Sequence, residues 1–261
     1  MQKYLNVLYY EILLRIREIR RYKMQIFSEA MMFVLIFIAC IVSDWGSSFI
    51  YELGVSKDDS IKFVFIGYMI WQIGCIALGY SSNFIKTEAT EGILEVKQQS
   101  VFSYEVLLFF RMLISVITSI SISVIATCIL MLFWGWTFEQ YVVCIKALFL
   151  GIPVIVGMFG MGLFFGAAVL HEKNIGKSVM IVQAVLLFFS NVFSTTKSKW
   201  ILIFPYTWAI DIGRDMYLEK KTGIVRMGIY FIINIVWLLG GHLVFRKALE
   251  DEKLKGMFDN Y

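Results

Sequence analysis

Six apolar runs, most of them about as long as a lipid bilayer is thick, divide this chain and leave few folds open to it. They are Ile26–Val42, Ile61–Ser82, Val106–Phe133, Tyr141–Leu170, Ser178–Phe193 and Ile224–Phe245. A hydrocarbon core of ~30 Å needs ~20 apolar residues in a helix. Lipid admits only helices or closed barrels, because it offers nothing to satisfy an open backbone, and runs of this length are helical. The fifth is short, while the third and fourth are long enough to tilt or project. Only 17% of the residues are charged and 59% are hydrophobic, whereas a soluble domain carries about 25% charged residues. The chain reads as an all-α integral membrane protein, residues 1–261 forming a single transmembrane domain with no room for a separate catalytic one.

Before the first run, residues 1–23 have a helical period. Leu5, Leu8, Ile12, Ile16 and Ile19 recur every three or four positions, which gathers them on one face. Lys3, Arg15, Arg17, Arg20, Arg21 and Lys23 supply the polar side, with Glu11 one turn before Arg15. A basic amphipathic helix of this kind lies in the headgroup layer of an anionic leaflet. The charged stretch is too long for a signal peptide, and no small-residue cleavage site follows the first run. Lys and Arg also concentrate at Lys86, Lys97, Lys173, Lys177, Arg246, Lys247, Lys253 and Lys255, whereas the first connection on the opposite side holds Asp44, Glu52, Asp58 and Asp59. The positive-inside rule therefore places both termini in the cytoplasm of a multi-pass protein of the cell membrane. The segment 194–223 resists simple assignment. Its middle, Trp200–Ile212, is too apolar for a loop and too short to span, and it contains Pro205. A re-entrant hairpin fits, with a seventh span as the alternative.

Lys86–Ser103, within the interval 84–105, is the long polar segment between the second and third runs. It carries Glu88, Glu91 and Glu95 with Leu94 and Val96 interleaved. An acidic, part-amphipathic segment held in water between two spans suits docking to another protein.

Several chemistries are unsupported. Gly176-Lys177-Ser178 resembles the end of a phosphate loop, but His171 stands where that loop needs glycine. Cys40, Cys75, Cys128 and Cys144 form no close pair and read as buried thiols without metal spacing. His171 and His242 have no convergent partners in the sequence, so neither a metal site nor a nucleophilic triad emerges. The net charge of +4 does not imply nucleic acid. Glu29, Lys62 and Arg111 lie near span ends, where they can snorkel. Gln72, Gln183, Asn191 and Asn234 are uncharged groups that glue helices or meet cargo. Gly151, Gly157, Gly160, Gly162 and Gly166 suit close packing in a bundle or against a second copy.

This layout resembles the type-2 ABC exporter permeases, which have a basic interfacial N-terminal helix and six spans. They carry an acidic Glu-Gly-Thr-Leu-Glu-like segment after the second span. Here it reads Glu91-Gly92-Ile93-Leu94-Glu95, with Glu88 upstream and Ser100 closing it. Ile93 replaces the usual threonine, and Val101 stands where proline is frequent. The second shared feature is a proline followed by an arginine in a re-entrant hairpin before the last span, here Pro205 and Arg214 in a segment that also holds Asp211. The resemblance implies a non-catalytic permease subunit paired with a second, identical or related, permease and with two cytoplasmic ATPases. ATP and Mg would be bound on those partners, and this chain would hold no cofactor. The segment after the second span would be the coupling helix. The cargo would be amphiphilic, a drug, an antimicrobial peptide or a lipid-linked molecule. Its path between protomers would be lined by Tyr68, Gln72, Gln183 and Asn191. A secondary transporter or channel is the competing reading and calls for intramembrane ionisable groups or an inverted repeat.

Overall fold

A computed structural model describes residues 2–99, 102–132, 135–172, 176–193, 195 and 199–255. The side chains of Leu5, Glu29, Glu95, Cys128, Lys177, Lys253 and Lys255, and all of Ser100, Val101, Trp134 and Lys173, lie outside the described residues. Within them the chain is helical: α1 (Gln2–Arg21), α2 (Lys23–Val42), α3 (Ser47–Leu53), α4 (Lys57–Thr90), α5 (Ile93–Gln98), α6 (Tyr104–Leu132), α7 (Phe138–Leu148), α8 (Gly151–Glu172), α9 (Gly176–Phe189), α10 (Thr207–Tyr217) and α11 (Ile224–Lys255). A 3₁₀ turn, Lys199–Ile203, precedes α10.

Local chemistry sets the helix ends. The Ser56 hydroxyl accepts from the Asp59 amide at 3.1 Å, and Asp58 and Asp59 occupy the first turn of α4, where their charge favours the exposed N–H groups. At the other end Gly92 has φ +68°. That left-handed conformation closes a helix at little cost only for glycine. Thr137 and Gln140 form a reciprocal capping box at the start of α7. Pro153 is the third residue of α8, where a missing amide costs little. The expected fourth run is instead broken just before it, between Leu148 and Gly151.

Helix α4 is the axis, its apolar stretch 94% buried. Tyr68 faces Phe33 and Phe65 faces Phe37, so α2 runs antiparallel to α4. The pairs Glu88–Arg111 and Tyr80–Ser119 make α6 antiparallel as well, and Cys75–Gln183 with Gly67–Val192 does the same for α9. In contrast α8 runs parallel to α4, with Gly151 at Ile73 and Gly162 at Ser81. Helix α11 is parallel to α8, from Leu150–Tyr230 to His171–Glu252. The tightest crossing is α8 on α11. A side chain at Gly160 would enter the Trp237 backbone, and one at Gly241 would enter the Gly160 backbone. Gly162 is closed in by Ser81 on the opposite side. The glycine row therefore serves packing within the chain, letting α8 approach α11 and α4 at once.

Among the described residues four helices are long and apolar enough to cross a membrane: α4, α6, the α7–α8 pair and α11. There are five if α2 and α3, bent by 52° at the turn between them, make one broken span. Helix α9 is shorter because its run stops being helical at Phe189. Beyond it the Val192 carbonyl accepts from Arg214 and the Phe193 carbonyl from Ser48, so this backbone is satisfied by side chains rather than by another turn of helix. Helix α11 keeps only 22% of its apolar stretch buried, exposing Ile232, Val236, Leu239 and Leu243. Exposed apolar rows on that scale belong against lipid rather than water.

Candidate functional site

The polar end of α4 carries a node of charge. Glu88 is 3% exposed. Its Oε1 accepts from Arg111 Nη1 of α6 at 2.8 Å and from Lys97 Nζ of α5. Arg111 lies 4.5 Å from the Phe84 ring and reaches on to Glu18 of α1 at 3.3 Å. Glu18 also binds Arg15 at 3.2 Å, and Arg15 donates to Tyr80 of α4 at 3.1 Å and to Thr118 of α6 at 3.3 Å. One chain of contacts thus runs from α5 through α4 and α6 to α1. Burial raises the pKa of the nearby Glu11 above its usual value, with Arg111 and Lys97 opposing. Carboxylate and cation balance in this cluster: Glu11, Glu18 and Glu88 face Arg15, Lys97 and Arg111. Removing one member of a buried pair typically costs about 3–5 kcal/mol because its partner is stranded.

The structure separates residues that the sequence grouped together. Glu88 points inward, and Leu94 is buried as well. Glu91, Gly92, Ile93 and Val96 face out, with Val96 70% exposed. The side chain of Glu95 is outside the described residues. The exposed surface of α5 is therefore an apolar pair, Ile93 and Val96, with the exposed Glu91 just ahead of the helix.

Arg15 is a correction. The sequence groups it with Arg17, Arg20 and Arg21 on the polar side of an interfacial helix, but it turns into the protein while those three remain exposed. Tyr80 and Thr118 provide hydrogen-bond partners that no local pattern reveals. Helix α1 consequently has three faces: a charged one against the protein (Glu11, Arg15, Glu18), an apolar flank with Ile12 and Ile16 exposed, and a basic outer strip.

A second brace closes the opposite end. Arg214 of α10 is buried, donating Nη2 to the Val192 carbonyl at 2.7 Å and to the Phe63 carbonyl at 3.3 Å. Its guanidinium lies 4.4 Å from the Phe49 ring of α3. Asp211 accepts from Asn191 at 3.2 Å, and the Pro205 carbonyl accepts from Asn234 of α11 at 3.4 Å. Lys62, read as snorkelling, is instead fully buried between Asp58 and Asp59, and Tyr217 of α10 donates to Asp59 at 2.8 Å. Of the residues expected on a cargo path, Tyr68 donates to the Phe33 carbonyl at 2.7 Å and Gln183 to the Cys75 carbonyl at 2.8 Å. Gln72 is buried between Ile120 and Val124 of α6 and Leu148 of α7, which leave no space for a water-sized guest, and Asn191 is buried against α10.

Sequence reasoning missed the partners of the two histidines. His171 Nδ1 lies 3.1 Å from Glu252, and His242 Nδ1 lies 2.5 Å from Glu105, each across helices at the Glu88 end of the bundle. Among the described residues no group of three or more His, Cys, Asp or Glu is arranged to hold a metal ion. A scan against protein-family models finds no match for the chain, and a search of curated proteins finds no relative.

Proposed function

We propose that this chain is the transmembrane permease subunit of an ATP-driven ABC exporter, energised by a separate cytoplasmic ATPase and moving amphiphilic cargo out of the cell. The observation that carries this reading is the Glu88 node. It ties the short exposed helix α5 to α4, α6 and α1 through buried ion pairs. A push on Ile93 and Val96 would thus reach three helices without passing through a flexible link. Such an element transmits free energy only if both of its ends bias the same two-state arrangement.

The alternating directions of α2, α4, α6, α8, α9 and α11 support six crossings with both termini on one side, the bent α2–α3 pair and the short α9 completing the set. The contact between Pro205 and Asn234 supports a re-entrant hairpin. Asn234 lies ten residues into α11. At ~1.5 Å per residue that is about 15 Å below the helix start, roughly half of a ~30 Å hydrocarbon core. The apolar faces on α9 and α11 leave room for a second permease, identical or related, and for lipid.

The test is co-purification. The full chain, purified from the membranes of its own cell, should bring down a separate ATPase, and Val96→Asp should release it while the permease stays in the membrane. ATP-independent transport by the chain alone in vesicles would refute the reading.

A further inference from the structure

We propose that Glu88 is a two-position latch for α5. In one position its carboxylate holds Lys97. In the other it turns to the Tyr104 hydroxyl, Lys97 lets go, and the far end of α5 lifts from α4. Leu94 and Lys97 lie one turn apart on the inner face of α5, while Ile93 and Val96 lie on the exposed one. Lys97 donates to Glu88 Oε1, the same oxygen that accepts from Arg111. The other oxygen, Oε2, is buried and, among the described residues, accepts no hydrogen bond. The hydroxyl of Tyr104, the first residue of α6, is also buried without a partner. It lies near enough for the Glu88 charge to act on it, yet outside hydrogen-bond geometry.

One oxygen thus serves two cations, while its twin and a phenol close by serve nothing. A buried donor and acceptor left unjoined are costly, and a turn of the carboxylate joins them at the expense of one bond to Oε1. Lys97 is the group that can leave. Arg111 is fixed by the Phe84 ring at 4.5 Å and by Glu18 at 3.3 Å. The Tyr104 ring is fixed by stacking on Phe245 of α11, with centroids 6.0 Å apart. Lys97 is part-exposed near the end of a six-residue helix, and its ammonium passes directly into water. Helix α5 starts one residue past Gly92, around which there is open space, so its far end lifts while Leu94 stays buried.

Glu88 has two donors in either position, Arg111 with Lys97 or Arg111 with Tyr104, so the two lie close in free energy. Pressure on Ile93 and Val96 favours the latched position. The latch supplies the two arrangements that the transport reading requires of α5. It rests on that reading for its use, but its test contains no ATPase, so the two fail separately.

The test is hydrogen exchange of the α5 peptide, with the full chain in nanodiscs. Tyr104→Phe removes an unpartnered hydroxyl, so it should melt with wild type, and by abolishing the second position it should slow α5 exchange several-fold. Lys97→Met abolishes the first position and should speed α5 exchange several-fold, leaving α4 and α6 peptides unchanged. In the Lys97→Met background Tyr104→Phe should have no effect, because no latch remains to secure. Unchanged or faster α5 exchange in Tyr104→Phe, a lower melting temperature for that variant, or equal slowing with and without Lys97 would each overturn the proposal.

Discussion

Replacing Glu88 by glutamine keeps the side chain's shape and deletes its charge, which makes it a sharp test of the node. In the wild type the 3%-exposed carboxylate answers two cations, Lys97 and Arg111, whose side chains are 24% and 27% exposed. Stranding the partner of a fully buried pair costs about 3–5 kcal/mol. Partial solvation of both cations, and the second partner Glu18 that Arg111 keeps, reduce this to about 2–3 kcal/mol. For soluble domains of this size each kcal/mol moves the melting temperature by about 2–4 °C, so the variant should melt roughly 4–12 °C lower in detergent. Glu91→Gln, one turn further along and exposed, should stay within about 0.5 kcal/mol of wild type. Combining Glu88→Gln with Arg111→Gln should cost about 0.5–3 kcal/mol less than the sum of the two, because each removes the other's partner. Equal melting temperatures for the Glu88 and Glu91 variants would refute the assignment of Glu88 to an internal brace.

Other expectations follow from the same geometry. Gly241→Ala forces a methyl group into the Gly160 backbone and should cost about 1–3 kcal/mol, read as lower yield and melting temperature. Arg214→Met loses charge-assisted bonds to the Phe63 and Val192 carbonyls, worth about 1.5–3 kcal/mol each, and should open α10 to hydrogen exchange. Ile93→Asp should leave the melting temperature within about 0.5 kcal/mol of wild type yet abolish capture of the ATPase. Burial holds the Glu11 carboxyl above its ordinary value of 4.5, so the folded chain binds that proton more tightly than the unfolded one. Its contribution to stability is complete below about 4.5 and is lost as pH rises through the raised value. Glu11→Gln should flatten that part of a melting-temperature profile.

The apolar runs made the helices legible, because span length and backbone satisfaction leave little choice in lipid. The run Val106–Phe133 became α6, and residues 1–23 became α1 and the start of α2. The break at Tyr22 and the bend between α2 and α3 were not legible, since neither carries proline. Charge partners were hidden for a different reason. Glu88 and Arg111 lie 23 positions apart, and Arg15 and Thr118 lie 103 apart, so only the folded bundle brings them within reach. A clue did exist: Arg111 sits inside an apolar helix without an acid one turn away, and such a cation needs a partner from elsewhere. Glycine spacing pointed to close packing, but which neighbour each glycine meets depends on helix rotation that spacing alone does not determine.

Helix α4 is moored at both extremities. Tyr217 and Arg214 of α10 grip Asp59 and the Phe63 carbonyl at one end, and Glu88 is held by Lys97 of α5 and Arg111 of α6 about 25 residues, or roughly 38 Å, beyond Phe63 at the other. A rod tethered this way resists sliding along its own length, because either direction would tear one mooring. It remains free to pivot, so a nudge delivered at the Glu88 end would emerge at the Lys62 end as a sideways swing of the α10 segment that Tyr217 and Arg214 clip to it.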